Sequence, residues 1–414
     1  MSDKASVTDP KFVREVNKSL VLSLVRQARH VSRADLARRT HLSRSTVSAV
    51  VSELLGEGWL VETGTGESQG GRRPILLTFN HRAGYILTIA AGASHLLSLV
   101  TDLDAGLLAE IEHPFNVADG PAIGLAAMET IGRQALRQAG VQPSQLLGVG
   151  VGVPGPLNCA RGTIIAPPIM PGWNEVPVRG HLQHIYGVSV YLDNDANLGA
   201  LGEWRFGAGQ GIDNLVFIKI ATGIGCGLII GGQIYHGHTG SAGEIGHVTI
   251  DEHGPPCSCG SYGCLEAMAG GPAIAQRAMM AIQAGQPTIL KDMTPNGHLT
   301  AQDVAKAAHR GDALSLQLYR DAGRLIGIAV ADVLNLFNPG RVIVGGGVSQ
   351  AGDLIMASLR ATVRQRSVRA AVENADIVQA ALGRRSAAWG AVALVLQETF
   401  RSPVSDLASP DRLR

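Results

Sequence analysis

The sequence predicts an α/β protein in which a small helical domain with a two-stranded wing precedes a larger body of two similar halves. Apolar residues recur at helical spacing up to about residue 55, whereas the rest of the chain alternates apolar strands with glycine-rich turns. The strand-then-glycine pattern occurs in both halves, which favours a duplicated fold with a cleft between them. A length of 414 residues, 45% of them apolar, suffices for two to three domains with large cores.

Three helices are predicted before the wing. Ser32 caps the second helix, with Asp35 in the capping-box position. Ser43 caps the third helix, which ends at Gly56 and Gly58. The apolar faces of the first and third helices consist of Val16, Leu20, Val21, Leu24 and Val25, and of Val47, Val50, Val51, Leu54 and Leu55.

The second and third helices predict a helix-turn-helix in which the third helix reads DNA. Its exposed face is small, polar and basic, and small side chains let a helix sit deep in a major groove. Arg44, near the N-terminus of this helix, can reach a base edge or a phosphate. The alternative is a three-helix protein-interaction domain. The residues predicted to contact DNA on this helix are Ser43, Arg44, Ser45, Thr46 and Ser48.

A basic wing is predicted after the third helix, from segments 59–62 and 72–77 and the loop that joins them. Arg72 and Arg73 lie at the base of the wing, where they are expected to enter a DNA groove or to bind backbone phosphates. The alternative is a solvated surface pair. Up to residue 80 the chain has twelve Lys and Arg against eight Asp and Glu, a balance of +4 that leaves −3 for the rest. This asymmetry indicates an anionic partner.

His247 and three cysteine thiols lie within eighteen residues of the run GEIGHVTIDEHGPPCSCGSYGCLE. Nitrogen and sulfur donors in a set of four predict one tetrahedral, structural Zn²⁺ per chain, with no open position for a reactive water. The alternatives are three unrelated cysteines in a turn-rich loop, or a disulfide, for which nothing else suggests an oxidising compartment. The predicted zinc ligands are His247, Cys257, Cys259 and Cys264.

Two carboxylates flank the predicted zinc loop. Glu244 lies three residues before His247, and Glu266 lies two residues after Cys264. Carboxylates held beside a rigid metal site suit hydrogen bonds to the hydroxyls of a polar ligand such as a sugar. The alternative is a pair of solvated surface glutamates.

The body alternates strands and helices from about residue 81. Strands are predicted over 85–90, 95–100, 188–192, 215–220 and 228–230, and at the apolar runs that begin at Leu147 and Arg341; a helix is predicted over 120–139.

Several motifs of the body resemble the ROK family (repressors, open reading frames and sugar kinases), in its repressor branch. The motifs are VGVPGPL, Pro-Gly-Trp-Asn at 171–174, LDNDANLGALGEW, ATGIGCGLI, GEIGH, CSCGSYGCLE and VIVGGGV. The resemblance covers nearly everything from about Arg14 to Gln397. It implies a two-lobed actin-like, hexokinase-type fold, a duplicated ribonuclease H-like unit, that closes on a sugar. Repressor members add a winged helix-turn-helix and assemble as dimers or tetramers.

The resemblance also assigns boundaries and sites. It implies a DNA-binding domain at 1–80, a first lobe at 81–195, a second lobe at 196–400 whose last helix returns to the first lobe, and a flexible tail at 401–414. Asp195 falls on the catalytic base of the family, although an Asp at this place also suits a helix cap. His247 is expected to bind zinc with one ring nitrogen and a sugar hydroxyl with the other. The implied sugar contacts are Asn174, Asn194, Asp195, Glu244, His247 and Glu266.

A resemblance to kinases raises the question of phosphoryl transfer, which needs Mg²⁺ and phosphate-binding turns besides a base. The family's Asp-x-Gly-x-Thr motif falls on Ala90, Gly92 and Ser94, so the metal-organising Asp is missing. The turns at 222–227 and 345–347 keep their glycines, although tight chain reversals need glycine for structural reasons too. We therefore expect sugar binding without catalysis.

The sequence thus predicts a sugar-responsive DNA-binding regulator, a repressor whose partners are operator DNA and a sugar or sugar phosphate. The chain has no secretory leader pattern and no apolar run that could span a bilayer, so a cytoplasmic location is expected. The alternatives are an ATP-dependent sugar kinase with an appended DNA-binding domain, and a regulator controlled by a protein partner.

Overall fold

A computed structural model describes residues 9–65, 73–158, 161–165, 170–293 and 298–404. Its N-terminal part, here called the head, contains three helices and a three-stranded antiparallel sheet of order β1-β3-β2. The elements of the head are α1 (Pro10–Gln27), β1 (Val31–Ser32), α2 (Arg33–Thr40), α3 (Arg44–Gly56), β2 (Leu60–Thr65) and β3 (Ile75–Phe79).

The helix starts of the head follow the predicted capping pattern. The Ser32 and Asp35 capping box is confirmed, and the Ser43 hydroxyl accepts the Thr46 backbone N–H at 3.1 Å. The four predicted apolar positions from Val47 to Leu54 are buried on α3. On α1, Val21 and Val25 of the predicted apolar face are fully buried, whereas Leu20 on the same face is 40% exposed.

The first half of the body is a five-stranded sheet of order β10-β7-β4-β5-β6. Strands β4, β5 and β6 are antiparallel neighbours, while β7 and β10 continue the sheet in parallel from β4. Two short strands, β8 and β9, form a separate pair. The bounds are β4 (Tyr85–Ala91), β5 (His95–Asp102), β6 (Leu107–Pro114), α4 (Pro121–Ala139), β7 (Leu146–Val153), β8 (Leu157–Asn158), β9 (Thr163–Ile164), α5 (Val178–Tyr186) and β10 (Val190–Asn194).

The second half repeats this topology with the order β13-β12-β11-β14-β15. Strands β11, β12 and β13 are antiparallel, and β14 and β15 continue in parallel from β11, so the predicted duplication is confirmed. The bounds are α6 (Asp195–Phe206), β11 (Leu215–Ile220), β12 (Ile224–Ile230), β13 (Gln233–Ile234), α7 (Leu265–Ala269), α8 (Gly271–Gln283), α9 (Leu290–Met293), α10 (Ala301–His309), α11 (Ala313–Phe337), β14 (Arg341–Gly345), α12 (Asp353–Arg366), α13 (Arg369–Glu373), β15 (Asp376–Gln379) and α14 (Ser386–Thr399).

The glycines of the predicted turn at 222–227 have two different roles. Gly225 and Gly227 lie within β12 rather than in the turn. A Cβ on Gly227 would lie 2.3 Å from the Ala196 carbonyl oxygen, so this glycine lets α6 approach the sheet closely. The turn itself is confined to residues 221–223.

Helices α6 and α14 cross in close contact between the two halves. Backbone approaches backbone here, since a Cβ on Gly390 would lie 1.7 Å from the Leu198 carbonyl oxygen. Glu203 of α6 is fully buried and accepts a 2.7 Å hydrogen bond from the Ser386 hydroxyl at the start of α14. Helix α14 also packs on β4 and β7 of the first sheet.

The head and the body share one apolar core. A single buried cluster joins the helices of the head to β4, β5 and α14, so the head is packed against the body rather than tethered to it. Phe400, just beyond α14, lies 5.7 Å between ring centroids from both Trp59 and Phe79 of the head. The guanidinium of Arg26 sits 3.7 Å above the Phe400 ring. Burial lowers the pKa of Arg26. The positive charge of Arg205 lowers it further, and the negative charge of Asp104 opposes this shift.

Among the helices that the structure describes, none combines the length and the apolar character needed to cross a bilayer.

Candidate functional site

A cleft of about 640 Å³ lies between the two halves of the body. Both sheets contribute to it, because the β4–β5 turn, the β10–α6 junction and the β11–β12 turn all open on the same space. Five of the six sequence-predicted sugar contacts line this cleft, and they are Asn194, Asp195, Glu244, His247 and Glu266.

The β10–α6 junction positions two of these side chains. Asn194 caps α6 by accepting the Ala196 N–H at 2.8 Å, and its amide donates to the Gly155 carbonyl at 2.9 Å. Asp195 is therefore not the cap; it is the first residue of the helix. Its side chain is almost entirely buried and forms an ion pair with Lys219.

Two glutamates form the opposite wall. The Glu266 carboxylate accepts the Ile224 N–H at 2.9 Å, which ties it to the β11–β12 turn. Glu244 faces the cleft, and desolvation between the walls raises its pKa; His247 opposes this shift, while Glu266 and Asp195 add to it. Carboxylates that line one cleft can each accept hydrogen bonds from the hydroxyls of a polyhydroxylated ligand.

The predicted ligands of the zinc site come together as one cluster. The donor atoms of His247, Cys257, Cys259 and Cys264 all lie within 4.8 Å of one another. The Cys259 and Cys264 sulfurs are 3.7 Å apart, and the Cys257 sulfur is 3.6 Å from His247 Nδ1. A tetrahedron with metal–sulfur bonds of about 2.3 Å has edges of about 3.8 Å, so the cluster has the dimensions of a zinc site. Because Nδ1 faces the thiols, Nε2 is the His247 nitrogen left for the cleft.

Asn174 is not brought together with the other predicted sugar contacts. Its neighbour Trp173 is fully buried and donates its Nε1–H to the Val117 carbonyl at 3.0 Å, beneath α4. This anchors the segment against α4. Asn174 itself is exposed and lies outside the lining of the cleft.

Sequence reasoning missed Lys219, which lies in the cleft at the end of β11. The signal was a single charged residue within the otherwise apolar strand LVFIKI. His95, at the start of β5, also lines the cleft; burial lowers its pKa, and the charges of Arg384 and Lys219 lower it further, against Glu112 and Asp195. Ala90 lines the same end of the cleft and is buried.

A second missed pair joins the halves beside the cleft. Nε2 of His236, in the loop after β13, lies 2.8 Å from the Asp193 carboxylate at the end of β10. The hydrogen bond to Asp193 raises the pKa of His236, with burial opposing and the Asp193 charge adding to the rise. The sequence offers no local signal for this contact, because the partners are far apart along the chain.

The His236–Asp193 pair should make stability depend on pH. Because the folded pKa of His236 is raised, its contribution is complete below the ordinary value of about 6.5 and is lost as pH rises through the folded value. We expect His236→Gln to lower the free energy of unfolding at pH 6, by at most about 1 kcal/mol given solvent screening. The difference should vanish near pH 9 in urea titrations. Equal losses at both pH values for His236→Gln would contradict the assignment.

The candidate nucleic-acid interface is the outer face of α3. Ser43, Arg44, Ser45 and Ser48 are exposed there, and Thr46 is half-buried. The Ser43 hydroxyl lies 2.8 Å from both the Ser45 and the Thr46 hydroxyls, so the first turn of α3 is preorganised. At the wing, Arg73 is exposed beside β3, whereas Arg72 lies outside the described residues.

These features define a class of protein: two ribonuclease H-like halves of the hexokinase type, enclosing a cleft and preceded by a winged helix-turn-helix. Residues 87–398 match the ROK family, and residues 17–61 match a winged helix-turn-helix DNA-binding domain. The chain therefore belongs to the ROK family.

Relatives and solved structures extend this result. The chain is 32% identical over 391 residues to the xylose repressor of Bacillus subtilis (strain 168), covering 94% of this chain and 97% of the repressor. A crystal structure of a ROK family transcriptional regulator, a homologue of the E. coli MLC protein, has a TM-score of 0.80 and 27% identity over 94% of this chain and 97% of its own. A ROK family glucokinase from Streptomyces griseus, in complex with glucose and AMPPNP, has a TM-score of 0.65 and 29% identity, covering 75% of this chain and 99% of its own. The regulators match nearly the whole chain, whereas the kinase leaves a quarter of it unmatched.

Proposed function

We propose that the protein is a sugar-responsive transcriptional repressor of genes for carbohydrate uptake or catabolism. One observation carries this proposal: an exposed helix-turn-helix shares an apolar core with a body whose cleft is lined by carboxylates. The likeness to the xylose repressor along 94% of the chain supports it. Since operator DNA is the proposed target, we propose a cytoplasmic location.

Sugar binding is proposed to change operator affinity through α14. Ser386, at its start, lines the cleft, while Phe400, just beyond its end, packs on Trp59 and Phe79 of the head. A sugar that binds a closed arrangement of the halves more tightly than an open one shifts the population between them. The sugar contacts proposed are Asn194, Asp195, Glu244, His247 and Glu266, with Asn174 remaining a prediction from family resemblance alone. In a homodimer, two heads would read two half-sites of one operator.

Phosphoryl transfer is not part of the proposal. Ala90 carries a methyl group where a metal-organising carboxylate would be needed, and Lys219 occupies one oxygen of Asp195. A sugar hydroxyl would have to compete with this ammonium for the carboxylate. The cleft is thus better suited to binding than to catalysis.

The proposal is tested on duplex DNA selected from a random pool by the purified protein. Fluorescence anisotropy then measures its affinity with and without xylose, glucose and N-acetylglucosamine and their phosphate esters. One of these should change operator affinity at least fivefold without ATP-dependent phosphorylation. Turnover of about 1–10³ per second in an ADP-coupled assay would support the kinase alternative instead. Failure of every compound to alter operator binding would favour a protein effector.

Arg44 and Arg73 are expected to bind phosphates of the operator. Arg44→Ala and Arg73→Ala should each weaken operator binding and reduce the slope of log affinity against log salt by about 0.9, because each removes one cation from a phosphate. Anisotropy titrations at several salt concentrations measure this slope. Arg369→Ala on the body removes the same charge and should leave the slope unchanged. A wild-type slope in the Arg44→Ala, Arg73→Ala double variant would show that another surface binds DNA.

We propose that the cluster of His247 and three cysteines holds one structural Zn²⁺ per chain. The ion would fix the loop that carries Glu244 and His247 and would leave His247 Nε2 for the ligand. Elemental analysis should therefore give about one zinc per chain. Cys257→Ser should lose the metal, lower the melting temperature and weaken sugar binding, while Cys226→Ala, outside the cluster, should retain it. Well under one zinc in chelator-free wild-type protein would refute the assignment.

A further inference from the structure

Lys219 places a cation inside the cleft. It lies near the end of β11, paired across the sheet with Gly225 of β12 and Gly345 of β14. Both neighbours lack side chains, and the space beside them is filled by the Phe217 ring and by Ala196 rather than by a charged group. It is about three-quarters buried, with 24% of its side chain exposed to the cleft.

The ammonium group has unused hydrogen-bonding capacity. It can donate three hydrogen bonds, and among the described residues it has one partner, the Asp195 carboxylate. Two donors therefore remain for whatever enters the cleft. A partly buried ammonium also attracts an anion more strongly than a solvated one does, because screening by water is reduced.

Fold stability does not explain this lysine. Replacing a buried ion pair with apolar side chains is often neutral or stabilising, and β11 is otherwise apolar. A charged residue that contributes little to the fold and faces a ligand cleft is better explained by the ligand.

Carboxylates and a cation face the same cleft. Glu244 and Glu266 line it beside His247, and the Glu266 carboxylate accepts the Ile224 N–H. Lys219 and Asp195 line it as an ion pair. The cleft therefore offers acceptors for hydroxyl groups and a cation for an anionic group.

We propose that Lys219 determines specificity by binding the anionic group of a sugar whose hydroxyls are held by Glu244 and Glu266. The anionic group is a phosphate ester or a carboxylate. This inference rests on the proposed function, because it names the class of sugar that occupies the same cleft. Lys219 remains paired with Asp195 and uses its free donors for the ligand.

The test compares matched sugars by calorimetric titration of the full chain. Glucose is compared with glucose 6-phosphate and glucuronate, and N-acetylglucosamine with its 6-phosphate, at constant ionic strength. In the wild type, one anionic member should bind at least about tenfold more tightly than its neutral parent, as expected for hydrogen bonds to a charged group. Lys219→Met, of similar length but uncharged, should abolish this preference, while Lys219→Arg should retain most of it.

Two controls separate the effects of the two charges. In the Lys219→Met, Asp195→Asn double variant, neither charge remains, so a lost preference there cannot be due to repulsion from an unpaired Asp195. Inorganic phosphate at equal ionic strength measures the anion contribution without the sugar. A comparison of glucose 6-phosphate with glucuronate shows whether the bound anion is a phosphate ester or a carboxylate.

The outcomes distinguish the two proposals. Equal affinity for neutral and anionic sugars in the wild type overturns the inference, as does a preference that persists in Lys219→Met. If a neutral sugar alone alters operator binding, the proposed function stands and the inference fails. If neither kind of sugar binds, the sugar-responsive function fails and the inference fails with it. The wild-type comparison needs no variant, so poor folding of Lys219→Met leaves the test intact.

Discussion

Replacing Glu203 with alanine is expected to lower the free energy of unfolding by about 4 kcal/mol. The Glu203 side chain is fully buried where α6 meets the segment before α14. Truncation would leave three backbone N–H groups, now in part-buried hydrogen bonds, without their acceptor, and an unsatisfied buried donor costs about 1–3 kcal/mol. The four donors to the carboxylate, at 2.7 to 3.1 Å, are the N–H groups of Ala208, Ala381 and Leu382 and the hydroxyl of Ser386.

Urea denaturation followed by circular dichroism measures this loss as a lower midpoint at constant slope. Glu203→Gln keeps one acceptor oxygen and should fall between the wild type and Glu203→Ala. The matched control is Glu129→Ala, which removes a surface carboxylate paired with Arg133 and should cost less than about 0.5 kcal/mol. A loss below about 1 kcal/mol in Glu203→Ala would mean that water or a rearranged loop satisfies the donors.

Gly390→Ala should force α6 and α14 apart, at a cost of roughly 3 kcal/mol or more. The added Cβ would lie 1.7 Å from the Leu198 carbonyl oxygen, which is backbone and cannot swing away as a side chain can. Because α14 extends from the cleft to the head, the same change should weaken the response of operator binding to the sugar. The melting temperature and operator anisotropy with the active sugar measure the two effects.

Gly180→Ala is the matched control for this change. Gly180 is also helical, within α5, but an added Cβ there meets no atom within 4 Å. Alanine is the better helix former, so this variant should be neutral or stabilised by up to about 1 kcal/mol. If Gly390→Ala has the stability of the wild type, then α6 and α14 can move apart without lowering the free energy of unfolding.

Local signals in the sequence predicted much of the fold. The capping box at Ser32 and the cap at Ser43 marked helix starts correctly, because capping involves residues only three positions apart. The strand-then-glycine pattern revealed the duplicated sheet. The four predicted metal ligands also meet in space, since they lie within one short loop.

Features that depend on distant segments were not predictable. The contact of His236 with Asp193 requires the loop after β13 to meet the end of β10, which belongs to the other half of the body. The position of Asn174 depends on the burial of Trp173 beneath α4, which its motif does not reveal. Lys219 was visible as an isolated charge in an apolar strand, but only the fold shows that Asp195 lies beside it.

The shared core of head and body has a consequence for protein synthesis. The Phe79 and Phe400 rings pack together, yet a ribosome adds the second roughly 320 residues after the first, about 15–60 s later at 5–20 residues per second. Until then Phe400 is absent, and it does not cover Trp59 and Phe79 of the nascent head. A message truncated before α14 would therefore yield a chain with exposed aromatic rings, a ready target for proteases. The packing thus disfavours fragments that bind operators but cannot sense a sugar.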